Sequence, residues 1–460
     1  MSSAAPLWTA AEIAAATGGT ASGAFEVSGV AFDSREVGPG DLFVALTGEQ
    51  TDGHRFVAQA FAQGAAGAIV SRDCEAPHVR VADTMAALEA LARAARARTA
   101  ARIIGVTGSV GKTGTKEALA TALDRADPGA THKSVKSYNN HTGVPLSLAR
   151  MPRDARFGVF EMGMNHAGEL DALTRIVRPH VAIVTAIAPS HIAFFDSVEA
   201  IADAKGEIFA GLEEGGTAIV PFDSLHHGRL RAAAERFAGR VTSFGTSEGA
   251  DVRAVETMAV EGGTFVTARL GERELSFTIG QAGAHWVSNA LAVLAAVDAA
   301  GGDLALAGLA LADMRDLAGR GARHRIVVGD GDVLLIDESY NANPASMRAT
   351  LAVLGAEPAV RRVAVLGEMR ELGEHGADYH AALAAPIREA CVEYAVLVGA
   401  GMAPLAEALE GRVDFVHVAD AAQAQSALDA VLAPGDAVLV KGSNGVGLSA
   451  IVAALARRGA

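Results

Sequence analysis

Hydrophobic positions along this chain follow two rhythms. Short apolar runs bounded by glycine, proline or aspartate read as strands, and longer stretches with apolar residues three or four apart read as helices. Residues 1–98 open with a helix over Thr9 to Ala16, then strands Val27 to Phe32 and Leu42 to Leu46 around the turn Pro39-Gly40-Asp41. A helix over His54 to Gln63, a strand over Ala68 to Ser71 and an alanine- and arginine-rich helix over Ala86 to Ala101 follow. From residue 99 to 318, strands Ile103 to Thr107, Phe157 to Glu161, Val181 to Thr185 and Thr217 to Val220 alternate with amphipathic helices, which predicts a mostly parallel sheet. Alternating runs over Thr264 to Leu270 and Glu274 to Ile279 predict appended antiparallel hairpins, and a helix over Trp286 to Ala299 closes the segment. Residues 319–460 carry a second α/β series, with strands at Val333 to Ile336, Val363 to Leu366, Tyr394 to Val398, Phe415 to Val418 and Ala437 to Val440. Gly319 to Arg323 reads as the hinge. The expected fold class is therefore α/β in three domains.

Composition narrows the class. Only 5% of the 460 residues are aromatic, while 50% are hydrophobic and 51 are glycine, which suits small-residue helix packing and many strand-to-helix turns. A net charge of −14 with no compensating basic run argues against nucleic acid as the main partner. Cys74 and Cys391, the two cysteines, suggest neither a disulfide framework nor a cysteine metal site. No signal-peptide pattern and no apolar run of membrane-spanning length is present, so a cytoplasmic protein without membrane insertion, taken to be a monomer, is expected.

The chemistry concentrates at strand ends. A strand runs into Thr107-Gly108-Ser109-Val110-Gly111-Lys112-Thr113, and a helix follows. A glycine turn of this kind offers backbone N–H groups to phosphate, the lysine adds a point charge, and the threonine hydroxyl suits Mg²⁺. Val106 stands where the strict eight-residue pattern has glycine, leaving the shorter form. ATP binding is the expectation. Glu161 ends a strand of the same sheet and suits Mg²⁺, with a turn cap as the lesser alternative. His191 follows another strand end, as ligand or as surface residue. Lys205 falls within the apolar stripe of a helix over Ser197 to Leu212. Either its stem snorkels to water, or its buried amine has a lowered pKa and can take up CO₂ as a carbamate. Asn139-Asn140-His141-Thr142 and Asp337-Glu-Ser-Tyr-Asn-Ala-Asn343 are ligand loops or ordinary capped turns.

Together these motifs resemble the Mur ligase family, the ATP-dependent amide-bond formers of peptidoglycan precursor synthesis. The likeness rests on the nucleotide loop, Glu161-Met-Gly163, Ser190-His191, Ala204-Lys205-Gly-Glu-Ile-Phe209 and His285-x-x-x-Asn289-Ala. Asp33-Ser-Arg35, Gly40-Asp-Leu-Phe-Val-Ala45 and Asp52-Gly-His54 resemble the UDP-sugar domain of its later-acting members. Asp337 to Pro344, Gly367-Glu-Met-Arg-Glu-Leu-Gly373 and Val440-Lys-Gly-Ser443 resemble the member that adds the terminal dipeptide. The resemblance implies an N-terminal UDP-sugar domain, a central ATP domain and a Rossmann-like C-terminal domain. It implies ligation of D-alanyl-D-alanine to UDP-N-acetylmuramoyl-tripeptide through an acyl phosphate, for cell-wall synthesis. Rival readings are the ligase adding the third residue, a folate-glutamate ligase, or a nucleotide-dependent binding protein.

By the same resemblance Thr113 and Glu161 hold one Mg²⁺, and His191 with carbamylated Lys205 supports a second. Asn289, Arg320 and Asp337 reach the nucleotide, and Ser34, Arg35, Asn140, Thr142, Tyr340 and Asn343 face the substrates. Trp286 stands where the family usually has asparagine, and Glu338 where aspartate is commoner, leaving the division of labour with Asp337 open.

Overall fold

The computed structural model describes residues 5–48, 51–261, 263–314 and 317–457. Among the described residues three large sheets follow one another along the chain, beside a two-stranded pair near the N-terminus. The first has the order Thr20–Ala21, His78–Arg80, Gly67–Val70, Asp41–Val44, Gly29–Ala31 and is parallel except at the Thr20–Ala21 edge. The stretch read as one strand over Val27 to Phe32 divides. Glu26–Val27 pairs with Trp8–Thr9, and Gly29–Ala31 joins the sheet. The helix expected over His54 to Gln63 begins as a tight turn, Gly53–Phe56, because the Asp52 carboxylate accepts from the His54 N–H and caps it there.

The central sheet has nine strands, and its inner order decides where a ligand can sit. Thr131–Lys133, Phe157–Glu161, Arg102–Thr107, Val181–Val184, Thr217–Pro221 and Arg240–Gly245 run parallel, in that spatial order. Val252–Val260, Gly263–Leu270 and Arg273–Ile279 extend one edge, the last two antiparallel. Successive residues of a strand face opposite sides, so Ile103 and Ile104 serve different cores. Ile104, Val106 and Ile183 pack beneath helices Lys112–Asp124 and Ala284–Ala300, where Ala290, Ala292, Ala295 and Ala296 are fully or almost fully buried. Ile103, Phe160 and Val184 pack on the other side with Leu170, Leu173 and Ile201. That second cluster also contains Ile192, Met369 and Leu372, so the central and C-terminal domains share apolar packing.

The C-terminal sheet has the order Ala322–Val328, Gly331–Glu338, Asp436–Lys441, Arg361–Gly367, Tyr394–Val398, Asp414–Val418. All pairs are parallel except the first, an antiparallel edge hairpin that period alone does not reveal. Among the described residues no helix is long and apolar enough to cross a membrane.

Candidate active site

Arg102–Thr107 lies between Phe157–Glu161 and Val181–Val184, all three parallel, so Thr107, Glu161 and Val184 end side by side. Connections leave in opposite directions there, which opens a crevice at the carboxyl ends of the strands. The turn entering helix Lys112–Asp124 depends on two glycines in left-handed backbone. At Gly108 (φ 150°) a Cβ would stand 1.9 Å from Thr185 Oγ1, and at Gly111 (φ 86°) 2.6 Å from Asn289 Oδ1. No other residue fits either place. Ser109 is locked in by its N–H to Ala186 O (2.7 Å) and its hydroxyl to Ala188 O (2.9 Å). Thr107 is fully buried beneath the turn, and Thr185 Oγ1 donates to Val110 O at 2.5 Å.

Five side chains meet at the helix start. Lys112 Nζ donates to Gly108 O at 2.6 Å, and burial lowers its pKa while the Glu161 charge opposes that shift. Thr113 Oγ1 donates to Glu161 Oε2 at 2.9 Å, and Asn139 Nδ2 donates to Glu161 Oε1 at 2.8 Å. Glu161 is 1% exposed, and Lys116 Nζ approaches its Oε2 to 3.8 Å. A hydroxyl beside a buried carboxylate is the hard oxygen donor set that Mg²⁺ prefers. The Glu161 contacts run to the side chains of Thr113, Asn139 and Lys116.

His191 and Lys205 stand on the far side of the lysine. His191 is in left-handed backbone (φ 58°), and its Nδ1 lies 2.5 Å from Glu371 Oε2 of the C-terminal domain. Burial and the Lys112 charge push the imidazole below its ordinary pKa, against the pull of Glu371. In the neutral ring Nδ1 carries the proton that Glu371 accepts, and Nε2 presents a lone pair. Lys205 is 1% exposed, and no hydrogen bond or ion pair among the described residues reaches its ammonium. Its α-helix runs only over Val198–Gly206 before tightening into Glu207–Gly211. The Lys205 side chain therefore lies almost wholly within the fold. Desolvation drives the Lys205 amine well below its ordinary pKa, and the Lys112 charge adds to the effect. A buried amine whose pKa is lowered is the chemical type that a carbamate requires.

The C-terminal domain supplies the opposite wall of a cleft of about 480 Å³, which also takes in Ser109, Val110, Gly111, Lys112, Thr113, Glu161 and His191. Arg320 lies over the Tyr340 ring at 4.1 Å and donates to Ser137 Oγ at 3.3 Å, across the domain boundary. Glu338 lines the cleft, as does Lys441, whose Nζ is 3.4 Å from Glu338 Oε2 and 2.9 Å from Asn341 O. Burial raises the Glu338 pKa and lowers that of Lys441, with each charge opposing the other's shift.

Asp337 answers the question left open with Glu338. It does not line the cleft; it accepts from Gly319 N (2.7 Å), Ser339 N (3.1 Å) and Ser339 Oγ (2.6 Å) and so fixes the hinge. Both Asp337 oxygens are engaged at the hinge, and the neighbouring Glu338, rather than Asp337, lines the cleft. Strand alternation explains the swap, since adjacent residues point to opposite sides. Asn343 borders the cleft but also caps helix Pro344–Ala356 through Ser346 N (2.9 Å).

At the other end, Asn289 braces Gly111, and Trp286 packs its six-membered ring against Gly114. His285 lines the same end, and burial pushes its pKa down to about 4. Asn140 and Thr142 stand apart from the cleft lining. Asn140 Oδ1 accepts from Thr142 Oγ1 (2.9 Å) and Gly143 N (2.9 Å), which shapes the turn into helix Gly143–Ala149. Ser34 is buried against Gln59 at 3.3 Å, and Arg35 extends into solvent paired with Asp33 at 2.6 Å, both in the N-terminal domain away from this cleft. Lys116 was not singled out from sequence; Asn139, Glu338, Lys441 and Glu371 fell within the sequence motifs, but none of them was assigned a site role. Asn139 and Glu338 each adjoin a residue that was, while Lys116 falls one helical turn after Lys112.

Comparison with known proteins agrees with this geometry. Residues 106–297 match the model of the Mur ligase middle domain, 319–444 that of the Mur ligase glutamate ligase domain, and 26–99 that of the Mur ligase family catalytic domain. The chain is 35% identical to the UDP-N-acetylmuramoyl-tripeptide–D-alanyl-D-alanine ligase of Synechocystis, across 93% of this chain and 92% of that one. Its fold superposes on a crystal structure of MurF from Acinetobacter baumannii with a TM-score of 0.85 and 33% identity, covering 98% and 99% of the two chains. MurF ligase from Thermotoga maritima in complex with ADP superposes with a TM-score of 0.78 at 26% identity, covering 94% and 98%. The nucleotide turn, the buried carboxylate and the three-sheet architecture, together with this likeness over almost the whole length, place the chain in the Mur ligase family.

Proposed function

We propose that this chain ligates D-alanyl-D-alanine to UDP-N-acetylmuramoyl-tripeptide, consuming ATP and releasing ADP and phosphate. One observation carries the reading: Lys112, Thr113 and Glu161 face Arg320, Tyr340 and Glu338 across a single interdomain cleft, in a chain whose relatives bear that ligase's name. The N–H groups of the 108–113 turn and Lys112 hold the terminal phosphates of ATP. Thr113 and Glu161 would hold Mg²⁺, and His191 with a Lys205 carbamate would support a second ion. Bound there, the ions would offset the charge of the phosphates. The Lys205 carbamate forms when the neutral amine nitrogen adds to CO₂ and loses a proton. Ser34 and Arg35 serve the UDP-sugar, with Asn140 and Thr142 nearer the peptide arm, while Tyr340 and Asn343 belong to the acceptor side.

In the first step a terminal carboxylate oxygen of the tripeptide attacks the γ-phosphorus and ADP leaves. Two anions must meet, so Lys112 acts electrostatically. The dipeptide amine then attacks the acyl carbon, the C–O bond to phosphate breaks, and the nitrogen loses a proton. The cleft walls exclude water, which would otherwise consume the acyl phosphate. ADP release measured with each substrate omitted in turn tests the reading. Release that requires both peptide substrates is expected, and release with neither would indicate a nucleotide-hydrolysing protein instead.

A further inference from the structure

The loop 134–139 touches all three domains and ends on the carboxylate at the centre of the cleft. Glu161 N donates to Ser134 Oγ (3.2 Å), Asn139 Nδ2 donates to Glu161 Oε1 (2.8 Å), and Gly163 N donates to Asn139 O (2.7 Å). Between those ends, Lys136 is held in left-handed backbone (φ 53°), which turns its carbonyl toward the fully buried Lys116 Nζ at 2.6 Å. Ser137 accepts from Arg320 of the C-terminal domain at 3.3 Å. The remaining attachment runs to the N-terminal domain. Lys136 Nζ pairs with Glu36, Tyr138 OH donates to Glu36 Oε1 at 2.8 Å, and the Tyr138 ring packs on Phe32 at 5.5 Å. Glu36 belongs to the same tight turn, Ser34–Glu36, as Ser34 and Arg35.

We infer that Glu36 is a positioning residue for the phosphate site, acting through Lys136, Tyr138 and Asn139 on Glu161. The inference rests on the reading that Glu161 serves the nucleotide and its metal. The physical argument is that a non-glycine residue in left-handed backbone persists only where its surroundings over-determine it. Here Lys116 fixes the Lys136 carbonyl from the nucleotide side, and Glu36 fixes its side chain from the sugar side. A buried lysine shared between a backbone carbonyl and the Glu117 carboxylate (3.0 Å) is a poor source of stability, because its desolvation offsets much of the gain. Its geometric effect is definite: it sets where Asn139 meets Glu161. Movement of the Ser34–Glu36 turn, as when it closes on a UDP-sugar, is therefore felt at Glu161 through a short series of direct contacts.

Calorimetry of Mg·ADP binding to the full chain, without sugar substrate, tests this. Glu36→Gln and the milder Tyr138→Phe are expected to weaken binding by about 3- to 10-fold, although neither residue lines the cleft. Combining Glu36→Gln with Lys116→Met should cost less than the product of the two single losses, since both act through one loop. Glu12→Gln removes a different contact between the same domains, Glu12–Arg153 at 2.6 Å, and should leave Mg·ADP affinity unchanged. Affinities within about 1.5-fold of wild type for both Glu36→Gln and Tyr138→Phe, or an equal loss in Glu12→Gln, overturn the inference. Failure of the wild-type chain to bind Mg·ADP would instead overturn the functional reading beneath it.

Discussion

His191 and Glu371 belong to different domains, both adopt left-handed backbone (φ 58° and 61°), and their side chains meet at 2.5 Å. The backbone seam continues beside them, with Ala193 N donating to Glu371 O at 3.1 Å. Two non-glycine residues in that conformation cost of order 1 kcal/mol each, so the contact orients the imidazole at some expense. Glu371→Gln keeps an acceptor for Nδ1 and should retain most activity. Glu371→Ala should lower kcat/KM by about 10-fold or more with little change in melting temperature. Steady-state kinetics with circular-dichroism melts would separate the two, and an unchanged alanine variant would make the seam incidental.

Lys112→Ala should fold normally and lose ligation by at least about 100-fold, because the ammonium serves phosphate rather than core. Near-normal turnover by a folded Lys112→Ala protein would mean that the nucleotide turn has been misread.

Lys205→Ala should be folded and nearly inactive, and formate or acetate should restore part of the activity by supplying carboxylate oxygens in the vacated space. Wild-type enzyme depleted of CO₂ should regain activity with bicarbonate. Full activity of the alanine variant, or indifference to bicarbonate, would leave Lys205 as an unmodified core lysine.

Asp337 and Glu338 should separate cleanly. Asp337→Asn leaves the Gly319 N–H and the Ser339 hydroxyl poorly matched in a buried place, so a stability loss of about 1–3 kcal/mol is expected in denaturant titration. Glu338→Gln, facing the cleft beside Lys441, should instead change the KM for ATP with a smaller effect on stability. The reverse assignment of the two effects would contradict the geometry.

Acid should destabilise the fold through His132, whose pKa burial pushes down to about 4 from an ordinary 6.5. Between those values the unfolded chain binds a proton that the folded chain refuses. The contribution is therefore complete above pH 6.5 and is lost as pH falls toward 4. A loss of about 1–2 kcal/mol is expected on going from pH 6.5 to 4.5, and His132→Gln should flatten that slope. Urea titrations of both proteins across this range would show parallel curves if His132 had no such effect.

Strand ends and turn glycines made much of the site legible in the chain. The run from Arg102 to Thr113 specifies a strand, a strained turn and a helix locally, so Lys112 and Thr113 follow from spacing alone. Glu161 and His191 needed only the rule that parallel strands gather ligands at their carboxyl ends. Relations between segments distant in sequence stayed hidden. Asn139 reaches Glu161 because Ser134 continues the edge strand, and no local pattern separates it from Asn140. Edge strands such as Thr131–Lys133 and Ala322–Val328 are short or half-exposed, so their hydrophobic period is weak. Which of Asp337 and Glu338 faces inward depends on register against Asp436–Lys441, a property of the assembled sheet.

The cleft is walled by two domains that meet at few polar points, and this governs thrift more than speed. If ligation proceeds as proposed, an acyl phosphate formed between Lys112 and Arg320 would survive only while the walls stay together. Loosening the His191–Glu371 seam would therefore register first as leakage: more ADP released per peptide bond made, before the rate of ATP consumption itself declined.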